Sequence, residues 1–192
     1  MTENLKVVPM TPGNILDRLG ICWGHLKDWK TLEIVQKSQE WLEKANASFT
    51  PTTFIAHMDK MPVGLIEFTP LRLMKTLGLI PCRRDLEKGE VESRYIPEED
   101  YGNCLFISCL WVRKDCRGKG VGRSLLDHLL SSEASKSSDG TLVYVTQRDE
   151  SWDKHIHWPA GSKEFYMKAE FTIEKILDRP AGFLLYHMNP RF

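Results

Sequence analysis

The chain has 192 residues, with 26 Lys plus Arg and 26 Asp plus Glu, so its formal net charge at pH 7 is zero. This balance excludes a generally charged surface as the basis for binding nucleic acid or a membrane. The most hydrophobic run, Cys104 to Val112, is far shorter than the roughly 20 residues that a membrane-spanning helix needs.

The predicted elements alternate between strands and helices. A strand at 5–10 precedes a helix that runs to about Trp23, and a second helix covers 34–47. Two strands, at 49–59 and 61–69, are joined by a short turn at Lys60. The later predictions are a buried strand at 104–112, a helix from about Val121 to Ala134, a strand at 141–147, a helix at about 162–169, and strands at 171–177 and 182–188.

This order predicts one α/β domain (α+β type) over residues 1–192, with a central mixed sheet flanked by helices. An insert at about 70–103 separates the third and fourth strands. It contains a possible amphipathic helix and then seven acidic and two basic residues between Asp85 and Asp100. A solvated loop is the ordinary interpretation of such a charge run. The alternative is that the insert shapes a pocket for a cationic amine.

The segment between the strand at 104–112 and the next helix is rich in glycine and in positive charge. Glycine occupies every second position from 118 to 122, and five Lys and Arg residues lie at 113–123 against Asp115 alone. Glycine lets backbone N–H groups converge on one point, and the following helix adds unpaired N–H groups at the positive end of its dipole. The segment therefore predicts a phosphate or pyrophosphate site.

Single residues exclude two common nucleotide-binding motifs. A dinucleotide-binding G-x-G-x-x-G that starts at Gly118 would need glycine at 123, where the sequence has Arg123. A Walker loop would end in Gly-Lys-Ser or Gly-Lys-Thr, and neither tripeptide occurs in the chain. The remaining pattern is Arg-x-x-Gly-x-Gly at 117–122, which opens a helix after a buried strand.

This pattern resembles motif A of the GNAT superfamily of N-acetyltransferases, and CLWVRKDCRGKGVGRSLLDHLL follows the family's strand–loop–helix consensus. The stretch SKEFYMKAEF resembles the family's motif B through Phe165, Tyr166 and Phe171. The resemblance covers about 104–188 well and residues 1–69 only in element order. It implies a single GNAT-like domain with a mixed, mostly antiparallel twisted sheet.

The resemblance also implies acetyl-CoA as the co-substrate. The strands at 104–112 and 141–147 would separate, and backbone groups of Leu110 and Val112 would hydrogen-bond the pantetheine arm in the gap, one N–H polarising the thioester carbonyl. The residues that would hold the pyrophosphate are Arg117, Gly118, Lys119, Gly120, Val121, Gly122, Arg123 and Ser124.

Two catalytic residues are implied. Tyr166 would protonate the departing thiolate, because a phenol with a pKa of about 10 is protonated at neutral pH and a thiol with a pKa of about 8.5 is a tolerable leaving group. Glu67 would be the base. Strand alternation places it on one face with Val63 and Leu65, where partial desolvation would raise its pKa. An edge glutamate in solvent is the alternative.

Four further residues qualify this assignment. His155 and His157 are other candidates for a base or a substrate contact, and an H-x-H pair without a third ligand does not predict a metal site. Glu170 stands where the family prefers a glycine in a left-handed helix C-cap, so we expect a strained or different turn. Pro159 stands where many members have an asparagine that contacts pantetheine, so that contact is not carried over.

The sequence therefore predicts a metal-independent N-acetyltransferase that transfers acetyl from acetyl-CoA to a small-molecule or peptide amine by direct attack. The competing interpretation is a non-catalytic acyl-CoA-binding sensor or interaction module. No nucleic-acid or membrane partner is predicted, and the superfamily suggests a possible homodimer through the C-terminal strands. Five cysteines without a C-x-x-C pair, and an N-terminus without a secretory signal pattern, favour a cytoplasmic protein.

Overall fold

The computed structural model describes residues 4–24, 27–78, 80, 95–146, 160–178 and 181–189. Its strands are β1 (Leu5–Pro9), β2 (Thr53–Met58), β3 (Met61–Pro70), β4 (Leu105–Val112), β5 (Gly140–Thr146), β6 (Thr172–Asp178) and β7 (Ala181–Met188). Its α-helices are α1 (Ile15–Trp23), α2 (Glu33–Ser48), α3 (Leu71–Leu77), α4 (Val121–Leu130), α5 (Glu133–Lys136) and α6 (Lys163–Met167).

The seven strands form one twisted sheet in the order β1-β2-β3-β4-β5-β7-β6. Every neighbouring pair is antiparallel except β4 and β5, which are parallel. The predicted mixed, mostly antiparallel sheet flanked by helices is therefore confirmed. The β2–β3 hairpin turns at Asp59 and Lys60, both of which have positive φ, as the tight turn predicted there requires.

Each face of the sheet is covered by helices. On one face, α4 packs Leu125, Leu126 and Leu129 against Phe54 and Ile66 of the central strands. This packing follows from the leucine spacing of α4, which places its apolar side chains on a single stripe.

The opposite face is covered by α1, α2 and α3. Leu19 and Trp23 of α1 pack with Leu65 of β3, and Met74 of α3 packs with Phe106 of β4. Both faces are thus buried at β3 and β4, in agreement with the continuous apolar character of the strand at 104–112.

The helix predicted from Val121 to Ala134 is shorter than expected. It ends at Leu130, and α5 begins after Ser132, whose side chain accepts a hydrogen bond from the Ser135 N–H. Serine is a preferred N-cap because its oxygen satisfies an unpaired N–H of the first turn. The two serines at 131 and 132 therefore divide the segment into two helices.

Part of the insert at 70–103 lies outside the described residues. Of the rest, α3 and residues 95–103 pack on the sheet, with Tyr95, Ile96 and Tyr101 against the cluster that contains Phe106. Glu99 forms an ion pair with Lys175 of β6. These residues are therefore packed against the domain and are not a free solvated loop.

Candidate functional site

The two parallel strands at the centre of the sheet separate halfway along their length. β4 pairs with β5 only from Leu105–Thr141 to Ile107–Val143. Beyond that point β4 still pairs with β3 as far as Val112, and β5 still pairs with β7. The separation expected between these strands is present, and it leaves an opening between their C-terminal halves.

A β-bulge lies where the opening begins. Glu67 is the partner of Cys109 and Phe68 is the partner of Ile107, so Ser108 is an extra residue in β4. A bulge bends its strand and increases its local twist. Ser108 therefore turns β4 away from β5 directly after the last paired residue.

The backbone groups of Leu110 and Val112 face this opening. The Trp111 carbonyl is directed at Gly64 of β3, and the Arg113 N–H donates to the Val63 carbonyl at 2.8 Å. Because successive residues of a strand point their N–H and C=O groups to opposite sides, the groups of the residues between them point away from β3. The Val112 carbonyl already accepts from Arg117 Nε at 3.1 Å, and a carbonyl oxygen can accept a second hydrogen bond.

The glycine loop sits at the C-terminal end of β4, next to the opening. Gly118 and Gly120 have φ of 78° and 82°, and a Cβ at either position would point into open space. Gly120 is the N-cap of α4, and no side chain caps that helix. The first N–H groups of α4 therefore meet a space that a phosphate could occupy, at the positive end of the helix dipole. Gly122 differs, because it is helical and a Cβ there would make ordinary contacts.

Three of the five cations of this segment are held by groups of the protein itself. Arg113 forms an ion pair with Asp115, and Arg123 forms one with Asp127. Arg117 bonds the Val112 carbonyl and lies over the Trp111 ring, 5.0 Å from its centroid. The local positive charge is thus smaller than the sequence suggested. The backbone N–H groups are correspondingly more important for holding an anion.

Tyr166 of α6 is buried at the edge of the opening. It is 0% exposed, and its buried hydroxyl has no hydrogen-bond partner among the residues that the structure describes. Burial, with a smaller contribution from Cys109, raises the pKa of Tyr166 well above its ordinary value. Its ring packs between those of Phe165 and Phe171, with centroids 5.1 Å away in each case. Tyr166 is therefore a neutral hydroxyl donor held in a fixed orientation close to β4.

The turn after α6 is strained, as the sequence led us to expect. Glu170 has φ of 66°, in the left-handed region that favours glycine. The Glu170 N–H donates to Met167 and the Phe171 N–H donates to Tyr166, which together form a Schellman motif. The contact between the Phe171 and Tyr166 rings completes it. Glu170 thus adopts the family's helix C-cap in spite of its side chain.

Replacing Glu170 with glycine is expected to stabilise the protein by about 1 kcal/mol, because the left-handed conformation costs a residue with a Cβ that amount. In a domain of this size the melting temperature should rise by roughly 2 to 4 °C. The matched control is Glu170→Ala, which removes the charge and keeps the Cβ. An equal gain in both variants would show that the charge, and not the backbone, is responsible.

Glu67 is buried in an ion pair. It is 4% exposed, and Arg18 of α1 donates to its Oε1 from Nε at 2.7 Å and from Nη2 at 2.5 Å. The alternative that Glu67 is an edge glutamate in solvent is therefore wrong. Burial alone would lower the pKa of the Arg18 guanidinium, but attraction to Glu67 outweighs it and raises that pKa. Glu67 is therefore the ion-pair partner of a buried guanidinium.

The expected grouping of Val63, Leu65 and Glu67 on one face is partly wrong. Ala56 pairs with Gly64 and His57 with Pro62, so Val63 is an extra residue at a register shift. As a result Val63 packs with the cluster on the α4 face, whereas Leu65 packs with the cluster beneath α1. A bulge of this kind depends on strand pairing and is not visible in the alternation of one strand.

Arg18 is the site residue that the sequence analysis missed. Its signal is a charge inside the apolar pattern of α1, since Leu19 beside it and Cys22 one turn later are both packed inward. A buried arginine requires a buried carboxylate, and only the fold shows which one.

Other predictions fall partly outside the described residues. His155, His157 and Pro159 all lie there, so their roles stay predictions. Within the described ranges no three His, Cys, Asp or Glu side chains come together as a metal site, and no helix is long and apolar enough to cross a membrane. None of the four cysteines that the structure describes forms a disulfide.

Comparison with known structures gives a consistent fold. Arabidopsis thaliana Naa50, solved with the bisubstrate analogue CoA-Ac-MVNAL, is 16% identical with a TM-score of 0.55 over 95% of this chain and 97% of that one. The PaiA N-acetyltransferase of Thermoplasma acidophilum, solved with coenzyme A, is 11% identical with a TM-score of 0.59, covering 96% and 99%. At these identities the likeness concerns the fold alone.

A third structure, the NatC complex bound to Gag peptide and CoA, contains a chain 12% identical with a TM-score of 0.58, covering 98% of this chain and 99% of that one. Among curated proteins, none is similar enough in sequence to be matched. The sequence pattern of the acetyltransferase (GNAT) family matches residues 20–150, which is more than half of the chain. The glycine loop, the opening between β4 and β5 and this match agree, and the protein belongs to the GNAT acetyltransferase family.

Proposed function

We propose that this protein is an N-acetyltransferase that transfers the acetyl group of acetyl-CoA to the amine of a small molecule or peptide by direct attack. The observation that carries the proposal is the opening between β4 and β5 with the uncapped N-terminus of α4 at its mouth. A site for an anion and a slot for an extended chain thus lie end to end. Pyrophosphate and pantetheine require that arrangement.

The residues at the opening fit acetyl-CoA on a second, independent ground. The Tyr166 hydroxyl is buried without a partner, and leaving such a group unpaired costs about 1 to 3 kcal/mol. A sulfur or carbonyl oxygen beside it would supply the missing acceptor. The outward-facing N–H groups of Leu110 and Val112 are the corresponding donors along β4.

Each residue then has a role that its environment allows. Acetyl-CoA supplies an activated acetyl group on a thiol leaving group. A backbone N–H of β4 at Leu110 or Val112 polarises the thioester carbonyl, and such a donor contributes a few kcal/mol in other enzymes. Glu67 accepts the proton of the attacking amine, directly or through water. Tyr166 donates to the sulfur as negative charge develops there, which its neutral phenol can do throughout the physiological pH range.

The test is an assay of CoA thiol release by the purified protein with a panel of primary amines. Release that requires both acetyl-CoA and an amine, and that saturates in each, supports the proposal. Intact-protein mass spectrometry should show no added acetyl group when acetyl-CoA is present alone, because attack is direct. Binding of acetyl-CoA without release with any amine would favour the non-catalytic sensor.

The proposal also includes the oligomeric state and the location of the protein. A homodimer through the C-terminal strands is supported by the edge strand β6, on which Ile173 and Ile176 are 43% and 65% exposed. A cytoplasmic location is supported by the four described cysteines, none of which forms a disulfide, since reducing compartments keep thiols reduced.

A further inference from the structure

A row of polar side chains crosses the sheet beneath α1. Thr53, Glu67 and Cys109 are cross-strand partners on β2, β3 and β4, so their side chains lie side by side on one face. Arg18 covers the row through its two bonds to Glu67. The adjacent row is apolar and consists of Ile55, Leu65 and Trp111.

Two members of this group are buried donors without a partner. Among the described residues, Arg18 Nη1 and Thr53 Oγ1 have no hydrogen-bond partner, although Arg18 is 1% exposed and Thr53 is 0% exposed. Buried polar groups in folded proteins are nearly always paired, most stringently when they are charged. The guanidinium contacts Glu67 through Nε and Nη2, and its third nitrogen meets no acceptor in the part of the chain that the structure describes. This points to a partner that comes from outside the chain.

The row reaches the opening through Cys109. Cys109 is only partly buried, and it follows the last β4–β5 pair at Ile107 by two residues. Cys109 also contributes to the raised pKa of both Arg18 and Tyr166, so it lies within electrostatic reach of each. A molecule in this row would therefore adjoin the place where the acetyl group is expected.

The free groups of the row match an amine with an oxygen close to it. Both contacts from Arg18 go to Oε1 of Glu67, so neither of them occupies Oε2, the oxygen that we assign to the amine. Arg18 Nη1 is then the donor for a neighbouring carbonyl or carboxylate oxygen. A carboxylate and a guanidinium this close to each other suit an amine and a carbonyl or carboxylate group that are joined by one carbon.

We propose that Arg18 Nη1 donates a hydrogen bond to an oxygen of the acceptor, and that the acceptor is an α-amino carbonyl compound: a free amino acid or a peptide N-terminus. Arg18 is in this view a specificity-determining residue. The inference rests on the proposed function, since it names the acceptor of the same site. The apolar row beside it favours an apolar side chain on the acceptor.

Three acceptors that share the amine and the leucine side chain test the proposal: L-leucine, L-leucinamide and 3-methylbutylamine. The last lacks the oxygen. The ratio kcat/KM is measured from CoA release and expressed per neutral amine, because the three amines differ in basicity. We expect an oxygen-bearing acceptor to be favoured about 10- to 100-fold, the range of a hydrogen bond to a charged group. Comparing kcat/KM for L-leucine with kcat/KM for L-leucinamide shows whether the site prefers a carboxylate or an amide carbonyl.

The variant Arg18→Lys should remove that preference. Lysine keeps the positive charge beside Glu67 but lacks the planar fork that bonds two groups at once. A rise in melting temperature with acetyl-CoA shows that the variant is folded. Should it fail to fold, alkylation of Cys109 in the unaltered protein gives the second measurement. The favoured acceptor should slow the modification of Cys109 by iodoacetamide, whereas 3-methylbutylamine should not. Peptide mass spectrometry identifies the modified cysteine.

The remaining outcomes overturn the proposal in distinguishable ways. Equal kcat/KM for all three acceptors, or a preference that survives in Arg18→Lys, would mean that the partner of Arg18 Nη1 is only a buried water and not the acceptor. Binding of acetyl-CoA with no transfer to any of the three would reject this acceptor class and leave the cofactor assignment intact. No response to acetyl-CoA would remove the proposed function together with the inference.

Discussion

Replacing Gly120 with glutamate is expected to abolish the rise in melting temperature that acetyl-CoA causes in the unaltered protein. Gly120 has φ of 82° and a Cβ direction that points into open space at the N-terminus of α4. A carboxylate there would occupy the position proposed for pyrophosphate and repel it. The variant should bind acetyl-CoA at least 100-fold more weakly.

The measurement is a pair of melting curves, with and without acetyl-CoA at a hundredfold excess over its Kd. Linkage then stabilises the unaltered protein by about 2.7 kcal/mol, or roughly 5 to 10 °C in a domain of this size. The matched control is Gly78→Glu. Gly78 also has positive φ, 73°, and open space at its Cβ, but it ends α3.

Both glutamates strain the backbone, because Gly120 is left-handed (ψ −3°) and Gly78 has ψ of −177° at positive φ, a region almost confined to glycine. Both variants should therefore melt earlier than the unaltered protein, and Gly78→Glu by at least as much. Only Gly78→Glu should keep the response to acetyl-CoA. A full response in Gly120→Glu would place the cofactor elsewhere and reduce the glycines to a strand-to-helix turn. If both variants lost the rise in melting temperature with acetyl-CoA, the loss would result from destabilisation of the protein and not from a change in the glycine loop.

The glycine loop was predictable because its requirements are local. Left-handed backbone at Gly118 and Gly120 needs glycine, and the uncapped helix that follows is visible in the leucine spacing after Val121. The strained Glu170 was predictable for the same reason, since a helix C-cap is set by a few adjacent residues. Strand positions were also recovered, because alternation and buried apolar runs determine them.

What the sequence did not reveal depends on contacts between distant residues. The extra residues Val63 and Ser108 arise from strand pairing, and the ion pair between Arg18 and Glu67 joins residues 49 positions apart. The charge of the loop was overestimated because Asp127 neutralises Arg123 only in the folded chain, where the Val112 carbonyl also holds the Arg117 side chain in place. Local patterns predicted the glycine loop, whereas tertiary pairing determines the surroundings of Glu67.

Replacing Tyr166 with phenylalanine is expected to lower kcat by about 10²- to 10⁴-fold, the usual contribution of a positioned acid. The acetyl-CoA response in melting temperature should be retained, because the ring still packs between Phe165 and Phe171. The substitution also removes a buried hydroxyl that has no partner. The free variant should therefore be at least as stable as the unaltered protein.

The combination of lower kcat and undiminished stability is what separates a catalytic hydroxyl from a structural one. Tyr186→Phe is the matched control, since the Tyr186 hydroxyl donates to the Asp139 carbonyl at 3.1 Å at the opposite end of β5. That variant should lose about 1 kcal/mol of stability and keep its kcat. Unchanged kcat in Tyr166→Phe would exclude this phenol as the acid and leave solvent to protonate the thiolate. A hydroxyl retained at the cost of an unpaired buried group is explained if its partner is the sulfur of the bound thioester.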